Sequence, residues 1–111
     1  MSRLKSQSPQ KEQNAESCLH LVLRDSKRAL ETCLKAVAPG DEVVLMSSAV
    51  LFLAESEIPP LSDLSCDVFL HLADVEAHGL VTMADARAFM QINDRQLVDL
   101  VCRHRHCLSW K

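Results

Sequence analysis

Five cysteines, Cys18, Cys33, Cys66, Cys102 and Cys107, are the side chains of this sequence best equipped for covalent chemistry. In a reducing compartment such thiols serve as core residues, as redox or sulfur-transfer nucleophiles, or as metal ligands. Cys33 recurs with Ala29, Leu30 and Val37 at helical spacing. A thiolate nucleophile or persulfide carrier needs its pKa lowered by a helix N-terminus, a nearby cation or a metal, and Cys33 lies about two turns beyond Asp25, too far for a helix dipole to act. The residues alone favour a buried thiol, with sulfur chemistry as the alternative.

The segment Cys102-Arg103-His104-Arg105-His106-Cys107 holds four soft or borderline ligands. Structural zinc usually draws paired ligands from two separated segments, and two interleaved arginines repel a cation. A helix C-terminus whose basic residues complement the dipole, with a basic patch for a partner, is the plainer reading, and no metal is expected. His20 and His71 stand between apolar neighbours and read as satisfied core or interface residues. No Ser-His-Asp or Cys-His pair emerges from spacing. Trp110 needs cover for a large ring and is an interface-anchor candidate.

The elements that hold these residues follow from periodicity. Residues 1–17 are polar and read as a flexible tail, with one domain over residues 18–111. Cys18 to Leu23 is a short apolar run suited to a strand covered on both faces. Asp25 is placed to cap a helix carrying Ala29, Leu30, Cys33, Leu34 and Val37 on one face, stopped by Pro39-Gly40-Asp41. Glu42 to Met46 is a second buried strand, with Ser47 and Ser48 as caps for a short helix over Ala49 to Ala54. That helix is apolar on every side and must be buried on every side, which predicts a subunit interface. Ile58-Pro59-Pro60 breaks it, and a loop runs to about Ser65.

Cys66 to Leu72 forms a third strand, Ala73 to His78 a short helix ended by Gly79, and Ala86 to Ile92 a fourth strand. Asn93-Asp94 caps a last helix with Leu97, Leu100, Val101 and His104 on one face. This alternation predicts an α/β fold, a small open and mainly parallel sheet of four to five strands with helices on both faces. In such a sheet Cys18, Cys33, Cys66 and Cys102 gather toward the amino-end pole, away from the carboxyl ends of the strands where ligands usually sit.

Composition narrows the function. Two glycines in 111 residues cannot build the phosphate-cradling loops of nucleotide-binding folds. A net charge of −3 with dispersed basic residues gives no footprint for direct nucleic-acid binding. No apolar run reaches the length of a membrane span, and the N-terminus is not signal-like. A cytoplasmic location, off the membrane, is expected.

Taken in order, the Leu-His-Leu of the first strand, Glu31-Thr32-Cys33-Leu34, Pro39-Gly40-Asp41, Val43-Val44-Leu45, Ala77-His78-Gly79-Leu80 and the C-terminal tryptophan resemble the DsrH/TusB family, over about Cys18 to Lys111. The resemblance implies a DsrE/DsrF/DsrH-like fold and a hetero-oligomer with two related small DsrE/DsrF (TusD/TusC)-like subunits. Such a complex hands persulfide sulfur to a downstream acceptor protein without a cofactor, either toward the 2-thiouridine of wobble-position tRNA or in sulfur oxidation. Cys33 matches the helix-one cysteine of DsrH-type members, which makes it the candidate persulfide carrier and leans the chain toward that branch. Ser47, Ser48 and Ala49 depart from the acidic residue, Asp and Gly common after strand two of the family. The expected function is a relay subunit, at most a sulfurtransferase component; the alternative is a stand-alone structural or regulatory homo-oligomer that has lost the relay.

Overall fold

Strands and helices follow the order the periodicity predicts, with one further helix and one further strand, and the strands join in one sheet. The computed structural model describes residues 17–54, 66–87 and 89–111. Its strands are β1 (Cys18–Val22), β2 (Glu42–Leu45), β3 (Asp67–His71), β4 (Met90–Ile92) and β5 (His106–Trp110). The helices are α1 (Lys27–Ala36), α2 (Leu72–Ala77), α3 (Val81–Ala86) and α4 (Asp94–Arg103), with a 3₁₀ helix over Ser47–Ala54. The sheet is parallel throughout, in the order β4-β3-β2-β1-β5.

That order explains the layers. From β1 to β4 the chain steps in one direction across the sheet, and right-handed crossovers therefore lay every connection on the same face. The step from β4 back to β5 runs the opposite way, so α4 lies on the other face. Register divides the side chains accordingly. Val22, Leu45 and Leu70 align beneath α1, the 3₁₀ helix, α2 and α3, whereas Leu21, Val44 and Phe69 align on the α4 side.

Local chemistry sets the helix ends. The Ser26 hydroxyl accepts the Ala29 N–H at 3.2 Å and is the cap of α1. Asp25, the expected cap, instead directs its backbone N–H to the Ser48 hydroxyl at 3.4 Å. Asn93 and Gln96 close a reciprocal capping box on α4, with both bonds at 2.8 Å. Gly40, at φ 91°, makes the left-handed turn between α1 and β2 that a side chain would strain.

Further expectations need correction. The apolar segment after β2 does not mark a subunit interface: Ala49, Val50, Phe52 and Leu53 are enclosed by the chain's own core. The interior is larger than expected because α2 and α3 both pack beside the 3₁₀ helix. The second correction concerns Ala86 to Ile92, of which only Met90–Ile92 is strand, after an unanticipated α3. Third, the basic C-terminal run leaves α4 at Arg103 and becomes β5, a fifth strand whose apolar and polar residues partly alternate. Fourth, Trp110 is anchored within the chain, packed on the main core. Ser17, assigned to the tail, is buried, and its carbonyl accepts the His106 N–H at 3.1 Å. The rest of that tail, and the Ile58-Pro59-Pro60 break with its loop, lie outside the described residues.

Candidate functional site

Two polar clusters occupy opposite ends of the sheet. At the amino end Asp41 is the hub. Its carboxylate accepts the Cys18 N–H at 2.9 Å, the Ala38 N–H at 3.0 Å and the His20 Nε2–H at 2.8 Å. The other nitrogen of His20 is occupied as well, because the Trp110 indole N–H donates to Nδ1 at 3.0 Å and the two rings stack at 6.0 Å. An Nδ1 that accepts and an Nε2 that donates define the neutral ring. His20, 1% exposed, therefore has no free nitrogen for general-base work. Burial by itself would raise the pKa of Asp41, but hydrogen bonds from His20, Ala38 and Cys18 outweigh it and hold the carboxyl below its usual value.

The thiols lie around this acid. Cys33 is fully buried between α1 and the sheet. Burial first, then the neighbouring Cys66, Cys18 and Asp41, push its thiol up to about 12. Cys18 and Cys66 are likewise raised, by burial and then by the negative charge of Asp41. This is the reverse of the cationic surroundings that make a thiolate. Cys18, Cys33 and Cys66 do converge toward the amino-end pole, as the topology requires. Cys102 and Cys107 are exposed on α4 and β5.

His104 turns inward, its Nε2 2.6 Å from Glu42 and its Nδ1 3.0 Å from the Ser17 hydroxyl. Among the described residues no group of three or more His, Cys, Asp or Glu side chains is arranged to hold an ion.

At the carboxyl pole His71 closes β3. Its Nδ1 lies 2.7 Å from Asp74 and its Nε2 2.6 Å from Asp94. Two carboxylates facing two ring nitrogens require two N–H donors, so the ring is imidazolium. Burial would lower the pKa of His71, but the hydrogen bonds and charges of Asp74 and Asp94 prevail and raise it above 6.5. Asp74 also accepts the Ser47 N–H at 2.7 Å, where Ser47 sits at φ 54°. The cluster thus ties α2, the start of α4 and the turn after β2 together. Both histidines are satisfied inside the fold, as their apolar neighbours suggested.

Since the folded pKa of His71 is raised, the stability it contributes is complete below 6.5 and fades as pH rises through the folded value. The expected loss is that of an ion pair with one exposed partner, at most about 1 kcal/mol, because Asp94 is solvent-exposed. Urea midpoints measured across this range should fall for the wild type more than for His71→Asn, and a flat wild-type profile would remove the ionic cluster.

The carboxyl-end crevice at β1 and β5, where the direction of travel across the sheet reverses, is the usual ligand position in such folds. Here it is a small cavity of about 180 Å³ beside Ser26, Arg28 and Thr32, with Trp110 in its wall. The thiols and this crevice are at opposite poles. The family model described as DsrH-like protein matches residues 24–107. The chain belongs to the DsrH-like family. Members of this family act in general as sulfur-relay subunits beside DsrE/DsrF-like partners. No curated protein matches the chain. Among the described residues of this DsrH-like chain, no helix is long and apolar enough to cross a membrane.

The hub at Asp41 was missed in the sequence, where Pro39-Gly40-Asp41 reads only as a turn. The partners of His71 were missed too, although the proximity of Asp74, one helical turn later, was a usable signal. Asp94 lies on an element 23 residues away, and nothing local announces it.

Proposed function

We propose that this chain is a non-catalytic or weakly catalytic subunit of a cytoplasmic sulfur-relay complex, assembled with two related small DsrE/DsrF (TusD/TusC)-like subunits. The reading is carried by the match to the DsrH-like family over residues 24–107. The complex passes persulfide sulfur to a downstream acceptor protein, for tRNA wobble 2-thiouridine or for sulfur oxidation, and Cys33 leans the reading toward the second. In each transfer the acceptor thiolate attacks the outer sulfur of a persulfide, a new S–S bond forms, and the donor sulfur leaves as thiolate. No net redox change occurs and no cofactor is required.

Within this scheme the chain contributes surface first. Cys33 is the thiol through which it would itself carry sulfur, and that role needs the packing of α1 on the sheet to open. Affinity purification of the chain from its own cells tests the proposal. Two related small subunits recovered in fixed ratio support it. A lone homo-oligomer would replace it with the structural or regulatory reading.

A further inference from the structure

Among the described residues the two faces of the sheet are covered unequally. Four segments pack on one face, while on the other α4 is the one helix present, packed through Leu97 and Leu100. Parallel sheets ordinarily have both faces covered. Between α4 and the β3–β4 edge runs an open groove of about 590 Å³. Its floor is Phe69, Ile92 and Met90, and Met90 is 60% exposed on a strand of only three residues.

The walls of this groove are acidic. Glu42 and Asp67 are register neighbours on adjacent strands, and Asp99 projects from α4. Among the described residues the one cation of the lining, Arg103, is engaged by Glu42 at 2.8 Å, and His104 meets the same carboxylate oxygen at 2.6 Å. Glu42 is thus compensated. The side chains of Asp67 and Asp99 are exposed and make no hydrogen bond or ion pair among the described residues. An apolar floor thus lies between a carboxylate on the sheet and another on the helix, neither of them paired with a described residue.

We infer that this groove is the docking surface for a partner subunit whose contact segment carries a lysine or arginine flanked by apolar side chains. The apolar residues cover Phe69, Met90 and Ile92, and the cation answers Asp67 and Asp99. An acidic segment would add like charge at both walls, and a purely apolar one would strand two carboxylates in the interface. The inference rests on the relay reading above and specifies which surface of the chain that assembly uses.

Reconstitution with the two copurified subunits separates the layers of the argument. If the wild-type chain does not assemble, the relay reading fails and takes this inference with it. If it does assemble, Asp67→Lys/Asp99→Lys and, separately, Met90→Asp are each expected to weaken association by about tenfold or more. Restoration of the charge-reversed variant by a Lys→Glu or Arg→Glu change in the partner's contact segment would complete the assignment. Both variants alter exposed positions, so their unfolding midpoints should stay near that of the wild type. Wild-type affinity in both variants overturns the inference. So does dimerisation of the isolated chain that the variants abolish without affecting the complex, which would give the groove to a second copy. Destabilisation of the isolated chain with unchanged assembly would give it to the chain's own residues.

Discussion

Asp41→Ala is expected to destabilise the fold by about 3–5 kcal/mol, the largest stability loss anticipated from a polar substitution here. The change removes one acceptor group and leaves three donors behind it: the Cys18 N–H that starts β1, the Ala38 N–H that ends the α1 turn, and the Nε2–H of His20. Asp41 is 6% exposed and His20 1% exposed, so water does not readily replace the lost partner. Total stability of a domain this size is about 5–15 kcal/mol, and a substantial fraction of the chains would unfold under mild denaturant. Trp110→Phe removes the donor to His20 Nδ1 together with part of a ring packed on the core, and is the milder control at about 1–3 kcal/mol. Urea unfolding of both variants measures the ordering, and Asp41→Ala within 1 kcal/mol of the wild type (about the worth of one ordinary hydrogen bond) would refute the hub. The pH dependence has a defined sign. The folded pKa of Asp41 is lowered from 3.8, so its contribution is present above 3.8 and lost as pH falls through the folded value. The variant should therefore lose less stability on acidification than the wild type.

The same residue shows which parts of this protein can be read from its sequence. Short apolar runs and the Ala29-Leu30-Cys33 spacing specify β1, β2 and α1, because burial on two faces or on one stripe is written locally. Three elements escaped that logic. The 3₁₀ helix looked too apolar for a small domain, since its cover comes from α2 and α3, and α3 carries only one buried residue, Ala84, to announce it. β5 was hidden by His and Arg at a position where a helix end is also basic; its partner β1 lies far away in sequence and supplies the pairing that decides the matter. The polar clusters are harder again. A titratable residue declares its chemistry but not its partner, and Asp41, Glu42 and Asp94 acquire their roles only when the sheet brings His20, His104 and His71 to them.

Cys33 should react with a small alkylating reagent at least about a thousandfold more slowly than a free cysteine in solution, while the isolated chain stays folded. Ionisation alone accounts for that factor. A thiol pushed up to about 12 is thiolate at neutral pH on the order of a thousand times less often than one with an unperturbed value near 8.5. Full burial slows it further, because reagent reaches Cys33 only when α1 lifts from the sheet. Cys18 and Cys66, raised by burial and by Asp41, should fall between the extremes. Mass spectrometry of timed labelling ranks the five thiols, and Cys33 modified as fast as Cys102 in the folded chain would refute the closed environment. The comparison that bears on the relay is the same measurement within the assembled complex, followed by incubation with a persulfide donor. If partner binding leaves Cys33 slow and without added sulfur, the chain works as an interface subunit and its partners' thiols carry the persulfide. If binding accelerates labelling and a mass increase of one sulfur appears on Cys33, then the partners supply the opening that the isolated fold denies. Transfer chemistry at that thiol would then be coupled to assembly, because what keeps it protonated, its burial first and then the neighbouring Cys66, Cys18 and Asp41, is the closed packing of α1 on the sheet.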